Sequence, residues 1–222
     1  MNVLSLFDGC SGGQVALQKL GITFDGIHNT YYASEIDKYA IQVTQANFPN
    51  TRHLGDVTDL DPHEISCWDI DLMMGGSPCQ GFSFAGHQLN FDDPRSKLFF
   101  NFIDILSVVK PKYVLLENVR MAKKSQDIMS EAIGFEPQAL NSKYLSGQNR
   151  YRLYWFGQRV GDYYKQMPID DMIDKGITMQ DILEDGYATD EMTSGGKSHC
   201  LTARYNGAVW WNSIERKQRT MV

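Results

Sequence analysis

The feature that most constrains the fold is a regular alternation of short apolar segments with amphipathic segments over the first 150 residues. The pattern predicts strands at 2–7, 31–34, 70–74, 113–116 and 151–156, and helices at 14–20, 38–46, 96–109 and 125–133. Strands that alternate with helices predict an α/β fold, an open and mostly parallel sheet with helices on both faces. Ligands of such sheets bind beyond the C-terminal ends of the strands.

The alternation stops near residue 160. Residues 161–194 contain nine acidic and two basic residues, and one short helix is predicted near 178–185. Residues 195–222 combine glycines and aromatic residues with five basic residues. We therefore predict two domains, a main domain over 1–160 and a small C-terminal lobe over 161–222.

Composition excludes several classes of protein. No apolar run approaches the ~20 residues of a membrane span, and the N-terminus does not resemble a secretory signal. The four cysteines, at 10, 67, 79 and 200, are scattered and include no close pair. This pattern indicates free thiols in a reducing compartment, and no metal site is predicted. The net charge of −6 argues mildly against a nucleic-acid partner, although the basic tail is consistent with a local DNA contact as well as with a solvated surface.

Three strand ends carry residues suited to a nucleoside ligand. The glycine-rich stretch FDGCSGG, from Phe7 to Gly13, follows the first strand and departs from the GxGxxG pattern of dinucleotide sites. Glu35 ends the second strand, where an acid can accept hydrogen bonds from ribose hydroxyls. Asp56 is a candidate acceptor for an adenine amino group. Each feature alone is equally consistent with a tight turn or a surface carboxylate, but together they indicate a nucleoside cofactor.

The stretch GGSPCQGFS, residues 75–83, places Cys79 after the third predicted strand. Its glycines and serines predict an exposed loop and a nucleophilic thiol, whereas Cys10 and Cys67 are expected to be buried structural cysteines. Glu117 follows the apolar segment YVLL, where a carboxyl group can take part in proton transfer. Arg150 and Arg152 alternate in QNRYR and would share a strand face, either to bind a ligand or as a solvated surface.

These segments occur in a characteristic order. FDGCSGG, Glu35, GDV, GGSPCQGFS, RSKLFF, ENV and QNRYR follow one another between residues 4 and 157. In this order and spacing the chain resembles the C5-cytosine DNA methyltransferase family, in particular its de novo branch and its compact phage and bacterial relatives. The cysteine–phenylalanine–threonine signature of the tRNA-methylating branch is not found in the sequence, which favours DNA over RNA.

The resemblance implies a Rossmann-like domain that uses S-adenosylmethionine as methyl donor to modify a flipped cytosine in double-stranded DNA. It implies Cys79 as the nucleophile, Glu117 at cytosine N3, and Arg150 with Arg152 holding the base and its backbone. The implied cofactor-binding residues are Phe7, Asp8, Gly9, Gly12, Glu35, Ile36, Asp56, Val57, Pro78 and Leu98. It also implies a role in DNA methylation or restriction-modification in the cytoplasm of a prokaryotic or phage-infected cell.

The C-terminal part departs from the family pattern. About 65 residues follow Gly157, where the family has a target-recognition region and two further motifs. CLTARY at 200–205 resembles the start of the first of these motifs, and no counterpart of the last is found. We therefore expect residues 161–222 to form a small, incomplete recognition lobe. Three explanations are open: a truncated sequence, completion of the site by a further subunit or a homo-oligomer, or a reduced protein with weak activity. The alternative is a catalytically incomplete domain that binds DNA or a partner.

Overall fold

The computed structural model describes residues 1–78, 94–184, 193 and 195–199. Its strands are β1 (Asn2–Leu6), β2 (Thr30–Ser34), β3 (Arg52–Gly55), β4 (Leu72–Gly75), β5 (Tyr113–Val119), β6 (Gln138–Asn141), β7 (Tyr151–Val160) and β8 (Tyr163–Gln166). Its α-helices are α1 (Gly12–Lys19), α2 (Lys38–Asn47), α3 (Pro62–Ser66), α4 (Pro94–Val109) and α5 (Lys123–Ile133). Three-residue 3₁₀ helices lie at Val57–Asp59, Ser142–Tyr144 and Gln180–Ile182.

The strands form one sheet in the order β3-β2-β1-β4-β5-β7-β6, and β8 pairs antiparallel with β7. The first five strands of this order are parallel to one another. The chain winds outward from β1 to β3 and then returns to the other side of β1 to form β4. The strand order therefore reverses between β1 and β4, which is where open α/β sheets bind their ligands.

Two apolar cores cover the two faces of the sheet. Along β1, Val3 packs into one core with Leu17 of α1, whereas Leu4 and Leu6 pack into the other. The second core includes residues of α3, α4 and α5, among them Phe102. Successive side chains of a strand point to opposite faces, so helices lie on both faces. The predicted α/β fold class is confirmed.

The elements missing from the sequence prediction are short and polar. Strand β3 reads RHLG and is at most half-buried, so it lacks the apolar run that identified the central strands. Strands β6 and β8 are likewise four residues long and lack a fully buried position. Strand β5 is longer than predicted: its pairing continues through Glu117 and Asn118 to Val119.

Two compact units divide the chain. The first consists of Met1–Gln138 and Leu153–Pro168, and the second of Ala139–Arg152 and Ile169–Val222. Within the second unit, a Cβ atom at Gly147 would lie 2.7 Å from the carbonyl oxygen of Thr178, so the two segments pack closely there. The functional division predicted at residue 160 stays a prediction. Among the described residues, no helix is long and apolar enough to cross a membrane.

Candidate active site

The turn between β1 and α1 has an unusual backbone. Phe7, Gly9 and Ser11 all have positive φ angles, of 59°, 59° and 58°. Two of these residues are not glycine, and such conformations cost free energy and are concentrated at functional sites. The turn is tied to the sheet because the backbone N–H of Asp8 donates to the carbonyl of Ser34 at 3.1 Å. It therefore holds a strained shape at the C-terminal end of β1.

Glu35 joins the ends of β1 and β2. Its Oε2 accepts a hydrogen bond from the backbone N–H of Gly9 at 2.8 Å, and its Oε1 accepts from Ile36 and Asp37, each at 2.8 Å. These three donors fix the carboxylate in one orientation. Because two carboxylate oxygens offer about four acceptor positions in all, Glu35 keeps capacity for a hydroxyl group of a ligand.

Asp56 is held in a similar way after β3. Its Oδ1 accepts from the backbone N–H and the hydroxyl of Thr58, both at 2.9 Å, and so caps the helix Val57–Asp59. The hydroxyl of Ser34 donates to the carbonyl of Gly55 at 2.8 Å, which joins the end of β2 to the residue before Asp56. The second acidic side chain is therefore also fixed by its neighbours in the fold.

A cavity of about 260 Å³ opens beside these strand ends. Its lining consists of Phe7, Ser34, Glu35, Ile36, Asp56, Val57, Thr58, Pro78 and Leu98. Seven of the ten predicted cofactor-binding residues are among them. The lining combines two carboxylates with apolar side chains, which suits a flat heterocycle joined to a sugar. Ser34 and Thr58 are lining residues that the sequence prediction missed.

Asp8, Gly9 and Gly12 are not among the residues that line the described cavity. The carboxylate of Asp8 instead accepts hydrogen bonds from the hydroxyls of Tyr31, at 2.7 Å, and of Ser11. Gly9 contributes to the site through the hydrogen bond that its backbone N–H donates to Glu35. Their predicted roles as direct cofactor contacts stay predictions.

Position 13 has to be a glycine for a structural reason that the sequence did not reveal. A Cβ atom there would lie 2.4 Å from the sulfur of Met74 and 2.7 Å from the hydroxyl of Tyr31. Protein side chains therefore occupy the space beside this last glycine of the FDGCSGG turn.

The turn after β4 leads towards Cys79 and is closely packed. A Cβ atom at Gly75 would lie 2.7 Å from the carbonyl oxygen of Leu6, and one at Gly76 would lie 3.0 Å from Oε2 of Glu117. Gly75 is therefore required by the approach of β1, whereas a side chain at Gly76 would be in close contact with the end of the Glu117 side chain. The second contact also places the Glu117 carboxylate against the backbone of this turn.

Asn118 anchors the same turn and was not identified from the sequence. Its side chain is 2% exposed, and its Nδ2 donates to the carbonyl oxygen of Ser77 at 3.2 Å and lies 3.3 Å from the Ser77 hydroxyl. A polar residue beside Glu117 at the end of the apolar segment YVLL was the available signal. Ser77 is buried, which corrects the expectation that this end of the segment is exposed; Cys79 lies outside the described residues.

The two cysteines that the structure describes differ from the expectation in their exposure to solvent. Cys10 and Cys67 are both exposed, so the expectation that they are buried is wrong. Cys10 occupies the glycine-rich turn and Cys67 follows α3, and neither position faces a core.

Arg150 and Arg152 belong to the second compact unit. Strand β7 begins at Tyr151, so Arg150 precedes the strand and the predicted arrangement of both arginines on one strand face is not observed. The backbone N–H of Arg150 instead donates to Oδ1 of Asn141 at 3.1 Å. Arg152 lies within the strand, and its Nη1 donates to the carbonyl oxygen of Tyr151 at 2.8 Å.

The family profile described as C-5 cytosine-specific DNA methylase matches residues 1–221. The chain belongs to this family. Curated relatives agree: the chain is 36% identical over 172 residues to the orphan methyltransferase M.SPRI of Bacillus phage SPR, covering 72% of this chain and 38% of that protein. It is 32% identical over 211 residues to the type II methyltransferase M1.ScrFI of Lactococcus lactis subsp. cremoris, covering 85% and 54%.

Solved structures share the fold of this family member. A mutant of DNMT2 from Spodoptera frugiperda superposes with a TM-score of 0.61 at 22% identity, covering 90% of this chain and 70% of that one. At this identity the likeness shows the fold alone. The chain spans 38% of the length of the phage relative and 54% of that of the Lactococcus relative.

Proposed function

We propose that this protein is a DNA (cytosine-5-)-methyltransferase that transfers a methyl group from S-adenosylmethionine to a cytosine. One observation carries the proposal: the cavity with Glu35 and Asp56 at the strand ends extends to Pro78, directly before Cys79 in the sequence. The Glu117 carboxylate lies against the same turn at Gly76. The cavity, the residue that precedes Cys79 and the Glu117 carboxylate therefore lie at one edge of the sheet, which supports the proposal.

The residues that line the cavity fit the cofactor by their chemistry. The fixed carboxylate of Glu35 would accept a hydrogen bond from a ribose hydroxyl, and Asp56 would accept one from the adenine amino group. Phe7, Ile36 and Leu98 supply apolar contacts to the adenine ring. When bound, S-adenosylmethionine supplies an electrophilic methyl group on a sulfonium.

The chain's own residues activate cytosine, whose C5 is too weak a nucleophile to take a methyl group unaided. The thiolate of Cys79 adds to C6 and forms a carbon–sulfur bond, while Glu117 donates a hydrogen bond or proton to N3. The electron pair is thereby directed to C5, which would take the methyl group that bound S-adenosylmethionine supplies. A base then removes the C5 proton, and elimination expels the Cys79 thiolate.

Double-stranded DNA is the proposed partner. A cytosine inside a duplex is out of reach, so the base has to flip out of the helix. In this proposal Arg150 and Arg152 hold the flipped base and the adjacent backbone. Relatives from bacteria and Bacillus phages support action in the cytoplasm of a prokaryotic or phage-infected cell, as part of DNA methylation or restriction-modification.

The alternative of a catalytically incomplete binding module is not favoured. A pure binding role has no need of a cysteine after a Gly-Gly-Ser-Pro turn, nor of a glutamate packed against that turn. Both are retained here, and the relatives are methyltransferases by name. A completing subunit or homo-oligomer remains part of the proposal.

The decisive experiment incubates the chain with labelled S-adenosylmethionine and unmethylated duplex DNA, followed by base-resolved sequencing. We expect label at cytosine C5, and we expect Cys79→Ser to abolish transfer while retaining cofactor binding. Cys67→Ser is the matched control, because it makes the same change at an exposed cysteine outside the site. Equal transfer by wild type and Cys79→Ser would disprove the mechanism.

A further inference from the structure

We propose that the half-buried Asp8 and the buried Tyr31 form a positioning pair that holds the strained turn Phe7–Ser11 in the shape that binds the cofactor. The inference rests on the proposed function, since it assigns a role to residues behind the cofactor cavity. Neither residue is among those that line this cavity. Their effect on the cofactor would be exerted through the turn.

The Asp8 carboxylate is satisfied inside the protein. Its Oδ1 accepts from the hydroxyl of Tyr31 at 2.7 Å, and its Oδ2 accepts from the hydroxyl of Ser11. Ser11 in turn accepts from Oγ1 of Thr44 at 3.1 Å and from Nε2 of Gln14 at 3.2 Å. Hydrogen bonds to an ionised group are the stronger ones, and fully connected buried networks favour a single arrangement.

Tyr31 is suited to act as a permanent donor. Its side chain is fully buried in β2, with the Phe24 ring packed against it edge to face at 5.2 Å. Burial, and then the negative charge of Asp8, raise the pKa of Tyr31 well above its ordinary value. The phenol therefore keeps its proton throughout the range in which an enzyme of this kind works.

The residues directly before and after Asp8 connect it to the cavity. Phe7 precedes Asp8 and lines the cavity, with a φ of 59°. Gly9 follows Asp8 and donates its N–H to Glu35, which also lines the cavity. A change in the position of Asp8 would therefore move both Phe7, an apolar residue of the cavity, and Glu35, the proposed ribose-binding carboxylate.

The test measures the Kd for S-adenosylmethionine by calorimetry. Tyr31→Phe removes only the hydroxyl that donates to Asp8, and we expect the Kd to rise about tenfold, the effect of losing one hydrogen bond to a charged group. Tyr32→Phe is the matched control: this neighbour points to the other face, where it stacks on Trp68 at 4.6 Å, and its Kd should stay within twofold of wild type. Circular dichroism at the same temperature verifies folding.

A double-mutant cycle shows whether the effect passes through Asp8. Asp8→Asn keeps the shape of the side chain but loses its charge, and it should by itself raise the Kd about tenfold. On that background Tyr31→Phe should raise the Kd by less than a further factor of about three, because the effects of substitutions within one hydrogen-bond network are not additive. If Tyr31→Phe does not fold, the result for Asp8→Asn decides the proposal alone.

Three outcomes would overturn the proposal that Asp8 and Tyr31 form a positioning pair. These are an unchanged Kd in the folded variants, an equal rise in Tyr31→Phe and Tyr32→Phe, and full additivity with Asp8→Asn. If the wild-type chain itself does not bind S-adenosylmethionine, the proposed function fails first, and the role of the pair fails with it. Failure of the pair alone leaves binding by the wild type intact.

Discussion

At the scale of single residues, the Glu35 carboxylate both joins two strand ends and lines the cavity. Its two oxygens accept three backbone N–H groups, from Gly9, Ile36 and Asp37. The bond to Gly9 reaches across from β2 to the turn after β1. The acid therefore connects the strand ends at the edge of the cavity, and in the proposed function it also accepts a hydrogen bond from a ribose.

Glu35→Gln tests this role with almost no change in size. The amide places an NH₂ group where an oxygen now faces backbone donors, so one set of hydrogen bonds is lost. We expect the Kd for S-adenosylmethionine to rise by ten- to a hundredfold, about 1–3 kcal/mol, measured by calorimetry. Glu64→Gln in α3 is the control and should bind like wild type; an unaltered Kd in Glu35→Gln would mean that the cavity is misassigned.

At the scale of elements, the turn after β4 depends on β5. Asn118 of β5 donates to the carbonyl of Ser77, and Gly76 leaves room for the Glu117 carboxylate. Two consecutive residues of one strand thus hold and contact the turn that leads to Cys79. The proposed catalytic acid and the residue that supports the turn before the proposed nucleophile are therefore consecutive in the chain.

Asn118→Asp tests the support of this turn. The variant keeps the oxygen that accepts from the N–H of Val119 but replaces the amide donor with an acceptor facing the Ser77 carbonyl. We expect the single-turnover rate of methyl transfer to fall about tenfold or more, because a buried polar group loses its partner. The Kd for S-adenosylmethionine should change much less. Equal losses in rate and affinity would show that the turn supports the whole cavity instead.

At the scale of the whole molecule, the phenol groups of the buried Tyr31 and the half-buried Tyr164 make the free energy of unfolding depend on pH. Burial raises the pKa of Tyr164, whose hydroxyl donates to the carbonyl of Pro111 at 2.9 Å, as it raises that of Tyr31. Above about pH 10 the unfolded chain releases these protons while the folded chain keeps them. The stabilisation is therefore complete below pH 10 and is lost as the pH rises further.

We expect the free energy of unfolding to decrease above pH 10, by about 1.4 kcal/mol per pH unit for the fully buried Tyr31. Denaturant titrations between pH 8 and pH 11 measure it. Tyr31→Phe and Tyr164→Phe should each reduce the slope, whereas Tyr163→Phe, at an exposed position, should not. Equal slopes in all three variants would show that other groups cause the alkaline loss.

The sequence by itself determined the α/β class, the positions of the central strands and helices, and the order of motifs that identifies the family. These features are local: apolar periodicity and glycine-rich turns are legible in a few consecutive residues. Seven of the ten predicted cofactor-binding residues line the cavity for the same reason, since each lies at or near an element whose position was predictable.

Only the tertiary structure decided what the side chains contact. Asp8 bonds to Tyr31, Gly13 makes room for Met74, and Asn118 bonds to Ser77, in each case across more than 20 residues of chain. These contacts depend on the sheet order, which places β1 between β2 and β4 and β4 beside β5. No local pattern encodes which strand will lie beside another, so the positioning pair and the anchored turn became visible only in the fold.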